Sequence, residues 1–243
     1  MRTLKALLAL SVGLVIGQAY AATPEETIAK KLGEMSKSVE VLHVEKSPLA
    51  GLYLAELKGG QHIFVNEEVT HFINGEIYGV DAKGKLVNES ELRREVAAAK
   101  EIAAIPEKDM IVYEAAGEKK AVVTVFSDPT CPYCKLFHKS ISELNKAGIE
   151  VRYLAFPRMG LGSEVHSNMA SAWCSSDRKA AITKLFDNES IPEVKCQNPV
   201  ADQFTLGETL GVMGTPTIFL STGKSMMGVQ TADQILTELS LKK

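Results

Sequence analysis

The residues in this sequence best suited to chemistry are two cysteines, Cys131 and Cys134, in the motif Cys-Pro-Tyr-Cys. The run before them, Ala121 to Phe126, has the composition of a buried strand, and the residues after them have the apolar spacing of a helix. Cys131 is therefore expected at a helix start, where free N–H groups and the helix dipole stabilise a thiolate. Cys134 follows one turn later and is close enough to form a disulfide with Cys131. The pattern predicts a dithiol that exchanges with other disulfides, with Cys131 as the nucleophile.

A second motif, Gly214-Thr215-Pro216-Thr217, lies far along the chain and leads into another apolar strand. A Cys-x-x-Cys motif alone is only moderately specific for redox chemistry. The strand before it, the helix after it and this later Thr-Pro pair together make the prediction more specific. An ordinary turn proline before a strand is the alternative interpretation of Pro216.

The other two cysteines are Cys174 and Cys196. A bridge between them would be a structural disulfide worth about 3 kcal/mol by loop-closure entropy, and a second redox pair is the alternative. Zinc binding by the four cysteines is disfavoured, because zinc sites usually contain two closely spaced ligand pairs. We therefore expect no metal and no cofactor.

The first 21 residues have the features of a secretory signal: Arg2 and Lys5, the apolar run Ala6 to Ile16, and a small-x-small cleavage site ending at Ala21. The run is too short to span a bilayer, although an uncleaved membrane anchor is the alternative. Export would place the cysteines where disulfides persist. The formal net charge of −3 provides no electrostatic footprint for nucleic acid.

Residues 22–87 predict a small N-terminal domain, a helix followed by an antiparallel sheet. Strand-like runs cover 39–44, 51–57, 61–65 and 71–80, with a glycine turn at 58–61. So small a unit buries little surface, and its sheet must have edges. Both features favour self-association, and packing on the rest of the same chain is the alternative.

Residues 88–106 predict a linker helix that begins at a capping-box-like Asn88-Glu89-Ser90-Glu91 and ends before Pro106. Its apolar stripe is narrow and consists of Leu92, Val96, Ala99 and Ala103. A stripe of this width is typical of a partly solvated spacer between two domains. A helix packed on one domain is the alternative.

Residues 107–243 alternate between strand and helix patterns. We expect 110–114 and 121–126 to form a hairpin, and 149–156 to lie parallel to the strand before Cys131. A helical insertion covers about 163–211. Within the helix that follows Cys131, the expected core positions are Leu136, Ile141 and Leu144. Asp128 is expected in a solvated loop, and His138 on the surface.

The order of these elements resembles the thioredoxin fold, and several motifs resemble the DsbC/DsbG family of bacterial periplasmic disulfide isomerases. These motifs are Val-Arg-Tyr-Leu-Ala-Phe-Pro-Arg at 151–158, the pair Cys174 and Cys196, and Gly-Thr-Pro at 214–216. The resemblance implies a thioredoxin-like catalytic domain with a helical insertion. It also implies a linker helix and a small N-terminal α+β (cystatin-like) dimerisation domain, arranged in a V-shaped homodimer.

The resemblance further implies that Cys131 forms a mixed disulfide with misfolded proteins and that Cys134 resolves it. The Thr215–Pro216 peptide would be cis and, with Pro132 and Tyr133, would contact the substrate. A chaperone activity and a membrane reductase of the DsbD type as partner are also implied.

Two features point to different branches of the family. Pro132-Tyr133 is the dipeptide typical of DsbG, whereas the second cysteine pair favours DsbC. A DsbG-like reductase of oxidised single cysteines, or a thiol oxidase, is therefore an alternative function. A chaperone or binding module with purely structural cysteines is the alternative from another class.

Overall fold

The computed structural model describes residues 22–37, 39–58 and 61–241, which form two groups of secondary structure joined by a helix. The predicted secretory signal, 1–21, lies outside the described residues, as do Gly59 and Gly60 of the predicted glycine turn. None of the helices within the described ranges is long and apolar enough to cross a membrane.

The N-terminal unit packs one helix on a four-stranded antiparallel sheet with the order β1-β2-β3-β4. The helix begins with a capping box between Thr23 and Glu26 and buries Ile28 and Leu32 against the sheet. The elements are α1 (Pro24–Met35), β1 (Val41–Lys46), β2 (Leu52–Leu57), β3 (Gln61–Asn66) and β4 (Phe72–Asn74).

The single strand predicted over 71–80 is wrong, because the chain leaves the first sheet after β4. Two further strands, β5 (Tyr78–Val80) and β6 (Leu86–Asn88), form a separate two-stranded sheet. Between β4 and β5 the backbone N–H of Ile77 donates to the hydroxyl of Ser90, 3.0 Å away. This hydrogen bond turns the chain toward the connecting helix, so the alternation of the sequence does not continue in one strand.

The connecting helix, α2 (Glu89–Ala103), is docked on the C-terminal domain. The predicted apolar stripe is wrong, since Leu92 is exposed and Val96 exposes 70% of its surface. The buried face instead contains Ala98, with Ile102 packed beside it, against a cluster that includes Phe219. The helix backbone approaches the domain closely at Gly223, where an added Cβ would overlap the backbone of Glu95 and Ala99. A count of large apolar residues does not detect such a contact.

The C-terminal domain has a five-stranded sheet with the order β11-β10-β8-β9-β7. Its strands are β7 (Ile111–Tyr113), β8 (Ala121–Ser127), β9 (Ile149–Ala155), β10 (Thr217–Leu220) and β11 (Ser225–Met227). β8 and β9 are parallel and joined by α3 (Pro132–Lys146), as predicted. The predicted hairpin is wrong: β7 pairs with β9, because both edges of β8 are occupied by β9 and β10.

The remaining helices cover the sheet: α4 (Glu164–Cys174), α5 (Arg178–Phe186), α6 (Val200–Thr209) and α7 (Ala232–Glu238). Helix α6 approaches β9 closely at Gly207, where an added Cβ would lie 2.5 Å from the Phe156 ring. In α3 the prediction for Leu136 is wrong, because 54% of its surface is exposed and Phe137 faces the core instead.

Candidate dithiol active site

Helix α3 places Cys131 at its N-cap and Cys134 in its first turn. Pro132 occupies the first helical position, where its missing N–H is not needed and its fixed φ suits the helix. The backbone N–H of Cys131 donates to the carbonyl of Asp128 at 3.0 Å, which closes the turn before the helix. Both cysteines are free thiols in this structure.

The two thiols differ in acidity. Burial alone would raise the pKa of Cys131, but the neighbouring polar groups of Thr215 and the backbone N–H groups of Cys134 and Tyr133 outweigh it and lower the pKa. Burial raises the pKa of Cys134 to about 11. Thiolate formation at neutral pH is therefore favoured at Cys131 and disfavoured at Cys134.

The Thr-Pro motif lies directly beside the dithiol. The Cys131 thiol donates to the carbonyl oxygen of Thr215, with 3.1 Å between sulfur and oxygen. The Thr215–Pro216 peptide is cis, as the family resemblance implies. The hydroxyl of Thr217 donates to the carbonyl of Gly214 at 2.7 Å and so braces the loop. Two motifs far apart in the sequence thus meet at one sulfur.

The surroundings of the dithiol are apolar and open, although only 2% of Cys131 itself is exposed. Tyr133 and Leu136 are exposed on α3, and Met213, beside the Thr-Pro loop, exposes 91% of its surface. Met227 is also exposed, and its Sδ lies 3.6 Å from where a Cβ on Gly214 would be. We call Tyr133, Leu136, Met213 and Met227 the apolar rim. Sequence reasoning missed both methionines, because neither belongs to an apolar periodicity.

The prediction that Asp128 lies in a solvated loop is wrong, since none of its surface is exposed. Its Oδ1 accepts hydrogen bonds from the backbone N–H of Thr130 at 2.7 Å and from the Thr130 hydroxyl at 2.6 Å. Its Oδ2 accepts from the backbone N–H of Arg158 at 2.8 Å and from Arg158 Nε at 3.3 Å. Asp128 therefore ties the turn before Cys131 to the loop after β9.

The prediction that His138 lies on the surface is also wrong. Its ring stacks on Phe186, with 4.4 Å between centroids, and its Nε2 lies 3.0 Å from the Thr183 hydroxyl. Burial lowers the pKa of His138 to about 4. The helix α5 that covers this position belongs to the insertion, whose docking on α3 the local sequence did not reveal.

The other cysteine pair lies in the helical insertion. Cys174, the last residue of α4, is joined to Cys196 in the loop before α6 by a disulfide with a Cα–Cα distance of 5.7 Å. The bridge crosses 22 residues and so ties α5 to its neighbours. This pairing leaves Cys131 and Cys134 as the free thiols of the described chain.

Comparison with known proteins agrees with this geometry. A thioredoxin-like domain model matches residues 106–242, and a model of the disulfide bond isomerase protein N-terminal domain matches residues 19–88. The thiol:disulfide interchange protein DsbC of Escherichia coli K12 is 34% identical over 212 residues, which cover 87% of this chain and 85% of that protein. The DsbC of Salmonella typhimurium is 37% identical over 193 residues, covering 79% and 78%. That of Haemophilus influenzae is 33% identical over 233 residues, covering 93% and 94%. The resemblance that the motifs suggested is confirmed, and the chain belongs to the DsbC family of thiol:disulfide interchange proteins.

Proposed function

We propose that this protein is an exported disulfide isomerase and reductase that reshuffles wrong disulfides through a mixed disulfide at Cys131. The observation that carries the proposal is the asymmetric placement of the dithiol: Cys131 lies at the N-cap of α3 beside the cis Thr215–Pro216 loop, whereas Cys134 is fully buried in the first turn. The pKa of Cys131 is accordingly lowered and that of Cys134 raised. Disulfide reshuffling requires a nucleophilic thiolate beside a second thiol that remains protonated and therefore attacks the mixed disulfide slowly.

The reaction begins when the Cys131 thiolate attacks one sulfur of a client disulfide. A bond forms between Cys131 and that sulfur, the client disulfide breaks, and the other client sulfur leaves as a thiolate. A client thiol can then attack the mixed disulfide and release Cys131, with no net oxidation. Alternatively Cys134 attacks Cys131, which leaves the client reduced and the dithiol oxidised.

The raised pKa of Cys134 favours the first outcome. Burial keeps Cys134 largely protonated at neutral pH. Attack by Cys134 is thereby slowed, and thiols within the client have more time to react with the mixed disulfide. When a client does not rearrange, Cys134 can still attack the mixed disulfide and release the client in its reduced form.

Client segments are proposed to bind across the loop of Thr215 and Pro216 and the helix start at Pro132 and Tyr133. An extended segment can pair with exposed backbone as an added strand, while its apolar side chains pack on the apolar rim. The same rim supports the proposed chaperone activity, because exposed apolar surface of this kind binds unfolded chains without reference to their disulfides.

The N-terminal unit is proposed to form the homodimer. Strand β4 lies at the edge of its sheet, and the surface that includes β4, β5 and β6 exposes five large apolar residues. They are Phe72, Ile73, Tyr78, Val80 and Leu86. Unpaired strand edges and exposed apolar patches are features that proteins usually cover by association.

The cellular setting follows from the chemistry. Isomerisation needs Cys131 reduced, yet a chain with the Cys174–Cys196 bridge is suited to an oxidising compartment. We therefore propose a periplasmic location after removal of residues 1–21, with electrons supplied by a membrane reductase of the DsbD type.

The proposed function is tested by refolding a scrambled multi-disulfide protein with the full exported chain. We expect Cys131→Ser to abolish isomerisation and Cys134→Ser to retain part of it while accumulating mixed disulfides. Unchanged isomerisation by Cys131→Ser would refute the proposal and favour a binding module. The dimer is tested separately by solution mass, which should fall by half in the double variant Ile73→Glu, Val80→Glu.

A thiol oxidase or a DsbG-like reductase of single oxidised cysteines is the alternative, and the Pro132-Tyr133 dipeptide favours the reductase. The redox state of the Cys131–Cys134 pair in the periplasm separates an oxidase from an isomerase or reductase. A mostly reduced pair supports an isomerase or reductase, whereas a mostly oxidised pair supports an oxidase.

A further inference from the structure

Ser127, the last residue of β8, faces the dithiol. Side chains alternate along a strand, so Ser127 lies on the same face of the sheet as Val123 and Val125. Both valines belong to the core cluster that contains Cys131 and Cys134. Ser127 therefore ends the row of side chains beneath the first turn of α3, and only 2% of its surface is exposed.

The hydroxyl of Ser127 has no hydrogen-bond partner within the described part of the chain. A buried hydroxyl without a partner destabilises a fold, and an apolar side chain of the same shape would avoid that cost. Burial raises the pKa of Cys134, and the backbone of Asp128 and the hydroxyl of Ser127 act against that rise. Ser127 therefore lies on the sheet face that packs against the dithiol, and its hydroxyl makes no hydrogen bond within the described residues.

We propose that Ser127 is a catalytic residue of the second step, in which its hydroxyl donates a hydrogen bond to the Cys134 thiolate as that thiolate attacks Cys131. This inference rests on the proposed function. In this step the Cys134 thiol first releases its proton to solvent. The Cys131–Cys134 bond then forms, the bond from Cys131 to the client breaks, and the client sulfur leaves with the electron pair and takes up a proton.

This role would set the balance between reduction and isomerisation. Ser127 lies on the Cys134 face of the sheet, whereas the Cys131 thiol donates to the carbonyl of Thr215. Loss of the hydroxyl should therefore slow resolution and leave the first attack unchanged. The mixed disulfide would live longer, and a larger share of clients would be isomerised.

The test uses the full-length reduced protein and one equivalent of a symmetrical chromogenic aromatic disulfide, followed by stopped-flow absorbance. The first chromophore is released when Cys131 attacks, and the second when Cys134 resolves the mixed disulfide. Ser127→Val removes the hydroxyl, and Ser127→Thr has the same shape as valine but restores it. Thr124→Val is the matched control, because Thr124 is a buried hydroxyl of the same strand that faces the opposite side of the sheet.

We expect Ser127→Val to slow the second release about tenfold, the kinetic equivalent of 1.4 kcal/mol, and to move its pH dependence to higher pH. Ser127→Thr and Thr124→Val should keep the wild-type rate of the second release. Equal slowing of both releases, no slowing, or slowing by Ser127→Thr as large as by Ser127→Val would each overturn the proposal. Absence of the first release in the wild-type protein would instead refute the proposed function.

Discussion

Asp128 offers the sharpest test of how the nucleophile is held in place. In the variant Asp128→Asn the amide oxygen can accept from either the Thr130 donors or the Arg158 donors, and the NH₂ group must face the other pair. Hydrogen bonds to a charged acceptor contribute about 1.5–3 kcal/mol each. Breaking a buried charged network by changing one partner costs about 3–5 kcal/mol. We therefore expect a loss of about 3 kcal/mol in the free energy of unfolding.

Arg158→Ala is the control for the side-chain contacts of Arg158, which are the ion pair with Asp128 and a hydrogen bond to the Thr130 hydroxyl at 3.4 Å. The Arg158 side chain is 40% exposed, and its Nε lies 3.3 Å from Oδ2, so this ion pair is screened by solvent. The backbone N–H of Arg158 still donates to Asp128 in this variant. A loss below about 1 kcal/mol is expected, as for other exposed pairs.

Both variants are measured by urea unfolding followed by circular dichroism, together with the rate at which Cys131 reacts with an aromatic disulfide. Asp128→Asn should also slow that reaction several-fold, because the turn that carries Cys131 loses its connection to the loop after β9. If Asp128→Asn and Arg158→Ala lose the same small amount of stability, the hydrogen-bond argument is wrong.

Three further predictions concern other parts of the chain. Since burial lowers the pKa of His138 to about 4, below the ordinary 6.5, the unfolded chain binds a proton that the folded chain does not. Stability should thus fall between pH 6.5 and pH 4 by at most about 3 kcal/mol, and urea titrations of His138→Phe should lack this component. Gly207→Ala should lower the free energy of unfolding by about 1–3 kcal/mol, because the added methyl group overpacks against a phenylalanine ring. The melting temperature should fall accordingly. The control Gly33→Ala, where an added Cβ has nothing within 4 Å, should raise the free energy of unfolding by up to about 1 kcal/mol. The double variant Cys174→Ser, Cys196→Ser should lose about 3 kcal/mol in the free energy of unfolding, measured by denaturant titration. The dithiol should react at the wild-type rate in this variant. A marked drop in that rate would show that the bridge shapes the site.

The parts of the site that could be predicted are those with a local signal. A strand, a Cys-x-x-Cys motif and a helix follow each other directly in the sequence, so the N-cap position of Cys131 could be inferred from neighbouring residues alone. The Thr215–Pro216 motif could be placed beside the dithiol only through the family resemblance, because no local pattern indicates a contact between residues so far apart.

The predictions that failed depend on contacts between distant segments. The partner of β7 is decided by which strand edges remain free, and a hairpin rule does not contain that information. Burial of Asp128 depends on the loop at Arg158, and burial of His138 depends on helix α5. Leu136 is exposed because of its position around the helix axis. The buried face of α3 contains Cys134, Phe137, Ile141 and Leu144, and Leu136 lies one residue outside this pattern.

The small accessible area of Cys131 affects which proteins this sulfur can serve. Only 2% of the residue is open, and the carbonyl of Thr215 lies directly against its thiol. A disulfide fixed on the flat face of a compact protein could not be brought into line with so recessed an atom. A loosely folded chain could extend a segment into the recess and present its bond end-on. Disulfides in correctly folded neighbours would thereby react more slowly than those in loosely folded chains.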